Sequence, residues 1–308
     1  VSRIDRGWST VIVSLDGAAL RMRNIGADVA VGDFAVPSDD GEKVQHVLAR
    51  HSAFVRRASF EGSRAESHTI AANIDVVMLM HSLTSPPNQR RLERELVLAW
   101  DSGARPVVVL TKTDLVDDPT AAVASLTDVA PGVEVLVASG ITGEGVEVLR
   151  GHAAGNATIA LLGSSGVGKS TLVNALVGQS RQATAAVRGD ERGRHTTTAS
   201  ELVRLPGEGW LIDTPGVRAV SLWSSGRGIE RAFADVFELM DHCRFRDCKH
   251  DTEPGCAVND AVDGGLLDVR RLDSMKRLVA EEAVLEAEQK AAERLLDRRG
   301  ARRPKRTP

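Results

Sequence analysis

The chain has 308 residues, a formal charge of −3, 42% hydrophobic and 26% charged residues, which is room for two or three globular domains. No apolar run approaches the ~20 residues of a membrane helix, and the opening Val1-Ser2-Arg3-Ile4-Asp5-Arg6 lacks an apolar signal core, so a cytoplasmic protein is predicted. All three cysteines lie between Cys243 and Cys256, which excludes an evenly paired disulfide framework and points to a metal site.

Residues 1–65 carry short alternating segments at 9–15 and 19–23, broken by Asp16-Gly17 and Gly32-Asp33. Such hairpin signals predict a small β-barrel, of which the oligonucleotide-binding fold is one form. The barrel is expected to be incomplete on its N-terminal side. Residues 70–227 change texture. Apolar runs at 74–80, 107–110, 133–137 and 159–162 predict buried parallel strands, with helical spacing at 91–100, 120–129 and 146–152 between them. That alternation predicts a doubly wound α/β sheet.

Residues 228–308 read as a third, helical unit. A helix through Met240 leads into the cysteine cluster, and a long charged helix follows from about 266 to 296. Leu272, Leu278, Leu285 and Ala292 fall near one of its faces and are expected to pack. Its end is basic: Arg294, Arg298, Arg299, Arg302, Arg303, Lys305 and Arg306 face one acid, Asp297. A solvated terminus and an RNA-contacting extension both fit that pattern.

The most specific motif is Gly163-Ser164-Ser165-Gly166-Val167-Gly168-Lys169-Ser170. It follows one predicted strand and precedes a helix predicted from Thr171 to 177, the setting of a phosphate-binding loop. Backbone N–H groups there can wrap phosphates, Lys169 can reach the terminal ones, and the Ser170 hydroxyl can bind Mg²⁺. Asp213-Thr214-Pro215-Gly216 ends another strand: Asp213 can hold Mg²⁺ through its water shell, and the Gly216 amide can meet a γ-phosphate. Upstream, Arg194-His195-Thr196-Thr197-Thr198 offers a hydroxyl to the same ion, Thr197 being preferred over Thr196 and Thr198.

Thr111-Lys112-Thr113-Asp114 and Ser139-Gly140 also follow strands. Asp114 can accept guanine N1–H and N2–H while the Lys112 stem lies along the base. Adenine would leave that carboxylate unpaired. Ser139-Gly140 can give a backbone N–H to guanine O6. These base-reading elements precede the phosphate loop, the reverse of the usual order, so the domain reads as circularly permuted. The segment after Gly216 then runs straight into the C-terminal unit, to which nucleotide state is expected to be relayed.

Cys243, Cys248, His250 and Cys256 form the set C-x4-C-x-H-x5-C, three thiolates and an imidazole suited to a closed tetrahedral Zn²⁺ site. His242 is a rival ligand, but its place beside Cys243 would strain the loop.

Taken together these residues resemble the ribosome small-subunit-dependent GTPase family RsgA, also called YjeQ. The resemblance rests on Ala72-Asn73-Ile74-Asp75, the permuted order, the phosphate loop, Gly193 to Thr198, Asp213 to Gly216, and the run from Cys243 to Val258. It implies an N-terminal oligonucleotide-binding barrel, a permuted GTPase domain and a C-terminal zinc domain. It further implies GTP hydrolysis stimulated by the small ribosomal subunit, rRNA contact, a monomer, and a role in late maturation of that subunit. Two positions depart from the family, which usually has Asn at 111 and Ala at 140. Thr111 lacks an amide to contact the base and tie to the phosphate loop, so weaker guanine binding is expected. Val217 stands where many GTPases place a water-orienting glutamine, and an isopropyl group cannot orient water. His195 is the candidate for that role once the subunit orders its loop.

Two other readings fit parts of the chain. An RNA-binding module whose nucleotide pocket only regulates affinity would show no subunit-stimulated turnover. A permuted GTPase serving another partner is disfavoured by the barrel and the cysteine loop. Asp114 disfavours an ATPase or nucleotide kinase.

Overall fold

The computed structural model describes residues 1–14, 18–26, 28–56, 68–178, 200–213 and 227–300. The described residues of the N-terminal region form strands: β1 (Arg3–Asp5), β2 (Trp8–Ile12), β3 (Ala19–Arg23), β4 (Ala35–Pro37), β5 (Val44–Val47), β6 (Ala53–Arg56) and β7 (His68–Ala72). β1, β2 and β3 form an antiparallel meander, while β4 with β5 and β6 with β7 form two hairpins. Val1, Val11, Met22 and Val44 are its small core. The Ala72-Asn73-Ile74-Asp75 motif then joins this region to the main sheet. Asn73, at φ 55, donates through Nδ2 to Gly32 O and accepts at Oδ1 from His51 N. Asp75 Oδ2 accepts from Thr158 N at 2.7 Å.

There follow β8 (Val76–Ser82), α1 (Gln89–Ser102), β9 (Arg105–Thr111), α2 (Thr120–Thr127), β10 (Val135–Ala138), α3 (Val146–Gly151), β11 (Thr158–Gly163), α4 (Lys169–Val177), β12 (Glu201–Arg204) and β13 (Trp210–Asp213). The sheet runs β10-β9-β8-β11-β13-β12-β1-β2-β3. Its first five strands are parallel, and β12 lies antiparallel to β13. β1 pairs with β12 at Arg3 and Glu201, so the N-terminal meander is the far edge of the same sheet.

Alternation along the central strands builds two cores. Val77, Leu79, Val108, Leu110, Ala160 and Leu162 face one layer, while Met78, Met80, Val107, Val109, Ile159 and Leu161 face the other. A strand covered on both faces reads as an unbroken apolar run, which is why β8 and β9 are legible and their period is not. α3 and α4 cover the second face through Leu149, Leu172 and Leu176. α1 covers the first, begun by the Asn88 side chain accepting from Arg91 N and ended at Gly103 in the left-handed region.

The chain ends in α5 (Arg227–Ala232), α6 (Ala234–Met240), α7 (Ala257–Asp263) and α8 (Val269–Gly300). All four pack on the first core, and among the described residues the C-terminal region shows no separate core of its own. The single helix expected to run through Met240 is two, broken at Phe233. That ring is fully buried beneath the Arg271 guanidinium, 4.8 Å from its centroid. Arg271 also donates to Ala232 O, Val129 O and both oxygens of Asp235. The long helix begins at Val269, not near Leu266, because Leu266 and Leu267 belong to a turn hydrogen-bonded back to Ala261. Its packing stripe is also shorter than expected: Leu272 and Leu278 are buried, whereas Leu285 is exposed. Among the described residues, no helix is long and apolar enough to cross a membrane.

Candidate functional site

The parallel strands end at one edge of the sheet, where open α/β folds bind ligands. Thr111 pairs with both Ser82 and Ala138, and Gly163 pairs with Met80. The loops after β9, β10 and β11 therefore emerge side by side, and Asp213 ends β13 beside them. Residues far apart in sequence, 111–114, 139–140, 163–170 and 213, are brought together by that register.

The loop between β11 and α4 turns through Gly166 and Gly168, at φ 82 and 94. Lys169 Nζ donates to Gly163 O at 2.8 Å and Ser164 O at 2.6 Å, which folds the ammonium over the loop. α4 starts at Lys169, two residues earlier than the sequence predicts. The N–H groups of Lys169, Ser170 and Thr171 consequently belong to a helix N-terminus, which favours anions. Ser170 and Asp213 are half-buried at this edge.

On the other side, Lys112 adopts a left-handed backbone (φ 65) and opens a short 3₁₀ turn over Thr113–Leu115. An added Cβ at Gly168 would lie 3.9 Å from Lys112 Cε, so the lysine stem runs beside the phosphate loop. The Thr111 hydroxyl lies 2.6 Å from Val167 O and 3.1 Å from His81 O. The tie to the phosphate loop that a missing amide was expected to cost is therefore made by the hydroxyl. Asp114 is exposed, and its Oδ1 accepts from Ser139 Oγ at 2.5 Å. Gly140 lies against α4: a Cβ there would meet Leu172 N and Thr171 C and O at 2.9 Å. An alanine at this position does not fit this backbone without a shift.

Three contributors escaped the sequence reading. The Ser139 bond to Asp114 joins separate loops. Glu144 Oε2 accepts from Thr113 Oγ1 at 2.6 Å. Beneath Thr111, His81 Nε2 lies 3.0 Å from Glu95 Oε2, and Arg91 Nε donates to Glu95 Oε1 at 2.7 Å. Arg91 and Glu95 look like a surface i,i+4 pair, yet Glu95 is fully buried. His195, Thr197 and Gly216, like Thr196, Thr198 and Val217, lie outside the described residues, as does the tail from 301 onward.

The second cluster lies between α6 and α7. Cys243 Sγ is 3.6 Å from His250 Nδ1 and 4.0 Å from Cys256 Sγ, and His250 Nδ1 is 3.4 Å from Cys256 Sγ. With Cys248 Sγ, all four donor atoms lie within 4.8 Å of one another. Tetrahedral zinc bonded at its usual lengths separates its ligands by roughly 3.6–3.8 Å, so the donor set fits. His242 is exposed and outside this group. His250 reaches it from a left-handed backbone (φ 57), and Lys276 of α8 braces the loop through His250 O and Asp251 Oδ1, both at 2.7 Å. Backbone amides of Lys249, Asp251 and Thr252 hold the Glu253 carboxyl down to about 2.

Residues 47–223 match the RsgA GTPase family model. The small ribosomal subunit biogenesis GTPase RsgA of Streptomyces coelicolor is 44% identical over 292 residues, covering 91% of this chain and 79% of that protein. Its namesake from Methanosarcina acetivorans is 41% identical over 270 residues, covering 86% and 73%. Among solved structures, YjeQ from Thermotoga maritima matches with a TM-score of 0.69 and 24% identity over 92% of this chain and 97% of that one. YloQ, a circularly permuted GTPase, matches with a TM-score of 0.64 and 24% identity over 90% and 91%. Both likenesses bear on the fold.

Proposed function

The chain belongs to the RsgA GTPase family, and on that premise we propose that it is a GTP-hydrolysing switch acting on the small ribosomal subunit late in its maturation. The observation that carries the reading is the meeting of two base-reading loops, a phosphate loop and a strand-end aspartate at one sheet edge, in permuted order.

Asp114 accepts guanine N1–H and N2–H, the Lys112 stem flanks the base beside Thr111 and Thr113, and the Gly140 region offers an amide to O6. The amides of 163–171 and the Lys169 ammonium hold the phosphates. Ser170, Thr197 and Asp213 would hold Mg²⁺, which would supply further positive charge to the terminal phosphates. His195 orients the attacking water and Gly216 reports the γ-phosphate. Cys243, Cys248, His250 and Cys256 would hold one structural Zn²⁺. We assign 1–65 to an oligonucleotide-binding unit, 70–227 to the GTPase and 228–308 to the zinc-binding unit and basic tail. The protein works as a cytoplasmic monomer, touching rRNA.

The test is GTP turnover by the full chain, alone and with small or large subunits, ATP serving as control. Stimulation by the small subunit alone is expected, with ATP inert and with His195→Ala binding GTP but losing the stimulated rate. Slow turnover indifferent to both subunits would remove the ribosomal role, and a wild-type rate in His195→Ala would remove His195.

A further inference from the structure

We infer that Glu144 is a positioning residue for guanine recognition, closing a hydrogen-bonded ring that fixes the Asp114 carboxylate in place. The inference rests on the reading of Asp114 as the guanine acceptor.

The ring passes through four residues. Thr113 and Asp114 are neighbours in the loop after β9. Asp114 Oδ1 accepts from Ser139 Oγ at 2.5 Å, Ser139 N donates to Glu144 O at 3.0 Å, and Glu144 Oε2 accepts from Thr113 Oγ1 at 2.6 Å. Two loops from different strands are thus cross-tied at both ends of the residue pair that faces the base.

The direction of each bond is fixed. Ser139 is fully buried, and its Oγ accepts from Ile141 N at 3.1 Å and Thr142 N at 3.2 Å. With both lone pairs used, its one proton goes to Asp114. A carboxylate oxygen has two lone pairs, so Oδ1 keeps one and Oδ2 both for the two guanine donors. What the Ser139 bond fixes is the plane of the carboxylate.

Glu144 is exposed, and an exposed glutamate commonly contributes little. Here its backbone is tied to the loop after β10. Gly143 N donates to Ser139 O at 3.0 Å, and Glu144 is flanked by Gly143 at φ 84 and Gly145 at φ 72. A Cβ at Gly145 would meet Val137 O at 2.2 Å, so only glycine lets this turn lie against β10. Thr113, the donor to the carboxylate, is buried. Losing Glu144 leaves that hydroxyl without its acceptor and leaves the Thr113–Asp114 segment tied to the loop after β10 through Ser139 alone.

The experiment measures binding of GDP, inosine diphosphate and ADP to the full chain, as wild type, E144A, E144Q, T113V and T113V/E144A. Inosine lacks the 2-amino group, so its affinity reads only one of the two bonds to Asp114. E144A and T113V are expected to weaken GDP about tenfold, to weaken inosine diphosphate less, and so to lower their ratio severalfold. E144Q, whose amide oxygen can accept from Thr113, restores most of the affinity. The double variant is no weaker than either single one, because both break the same bond. The inference is overturned if E144A and T113V keep the wild-type ratio, or if GDP and inosine diphosphate weaken equally alongside a lowered melting temperature. A wild-type chain indifferent between GDP and ADP would instead overturn the Asp114 reading itself.

Discussion

At Thr111 a single hydroxyl stands within hydrogen-bonding distance of two carbonyl oxygens, on β8 and on the phosphate loop. One proton serves one acceptor at a time, and the shorter distance assigns it to Val167 O. Thr111→Val keeps the shape and removes the donor, so the loop loses its tie to β9. The expected outcome is about tenfold weaker GDP and GTP alike, with the GDP to inosine diphosphate ratio unchanged and Thr111→Ser restoring affinity. Titration with fluorescent nucleotides checks it, and undiminished affinity in Thr111→Val would show that the tie carries no binding energy. At this scale the phosphate loop and Asp114 are legible in sequence because contiguous residues carry the chemistry. Glu144 is not, since a glutamate between two glycines has the look of any solvent-facing turn. Gly140 looks merely divergent until the backbone of α4 is found 2.9 Å from where its Cβ would stand.

Elements are legible where their burial is simple. Strands covered on both faces show as apolar runs, so β8, β9 and β11 are found to within about two residues. β12 has four residues, two of them charged, and its place comes from pairing with β13 and with β1 some two hundred residues away. The break at Phe233 is set by the tertiary seat of that ring under Arg271, not by a helix-breaking residue. Around the cysteines, Cys256 both joins the donor cluster and caps α7, its Sγ accepting from Asn259 N at 3.4 Å. Cys256→Ala, which removes both the thiolate and the cap acceptor, is therefore expected to lose bound zinc and to expose α7 together. Metal analysis should fall from one zinc per chain toward none, and hydrogen exchange should rise across 243–263. Full zinc retention in that variant would exclude Cys256 as a ligand.

Across the molecule, α5 starts immediately beyond residues 214–226 and is seated tightly on α1. Gly228 N donates to Asp101 Oδ1 at 2.6 Å, and a Cβ at Gly228 would meet Val97 O at 2.1 Å. α1 in turn holds α8 through Arg94 and Glu281, and the sheet edge through Glu95 and His81. A displacement of α5 thus has little room to be absorbed locally, which supports a relay of nucleotide state into the C-terminal unit. Hydrogen exchange over 227–260 is expected to differ between the GDP state and a GTP-analogue state. Identical protection in the two would sink the relay.

The strand order also sets a timetable for synthesis. β8, β9 and β10 are consecutive in the chain and adjacent in the sheet, so that half can assemble as soon as it is made. The other edge of β8 belongs to β11, which follows about eighty residues later. At typical elongation rates that edge stays unpaired for on the order of ten seconds. Until β11 closes it, an apolar strand bears an open template for pairing with a neighbouring nascent chain. The permuted order thus places an aggregation hazard in the interval before the phosphate loop exists.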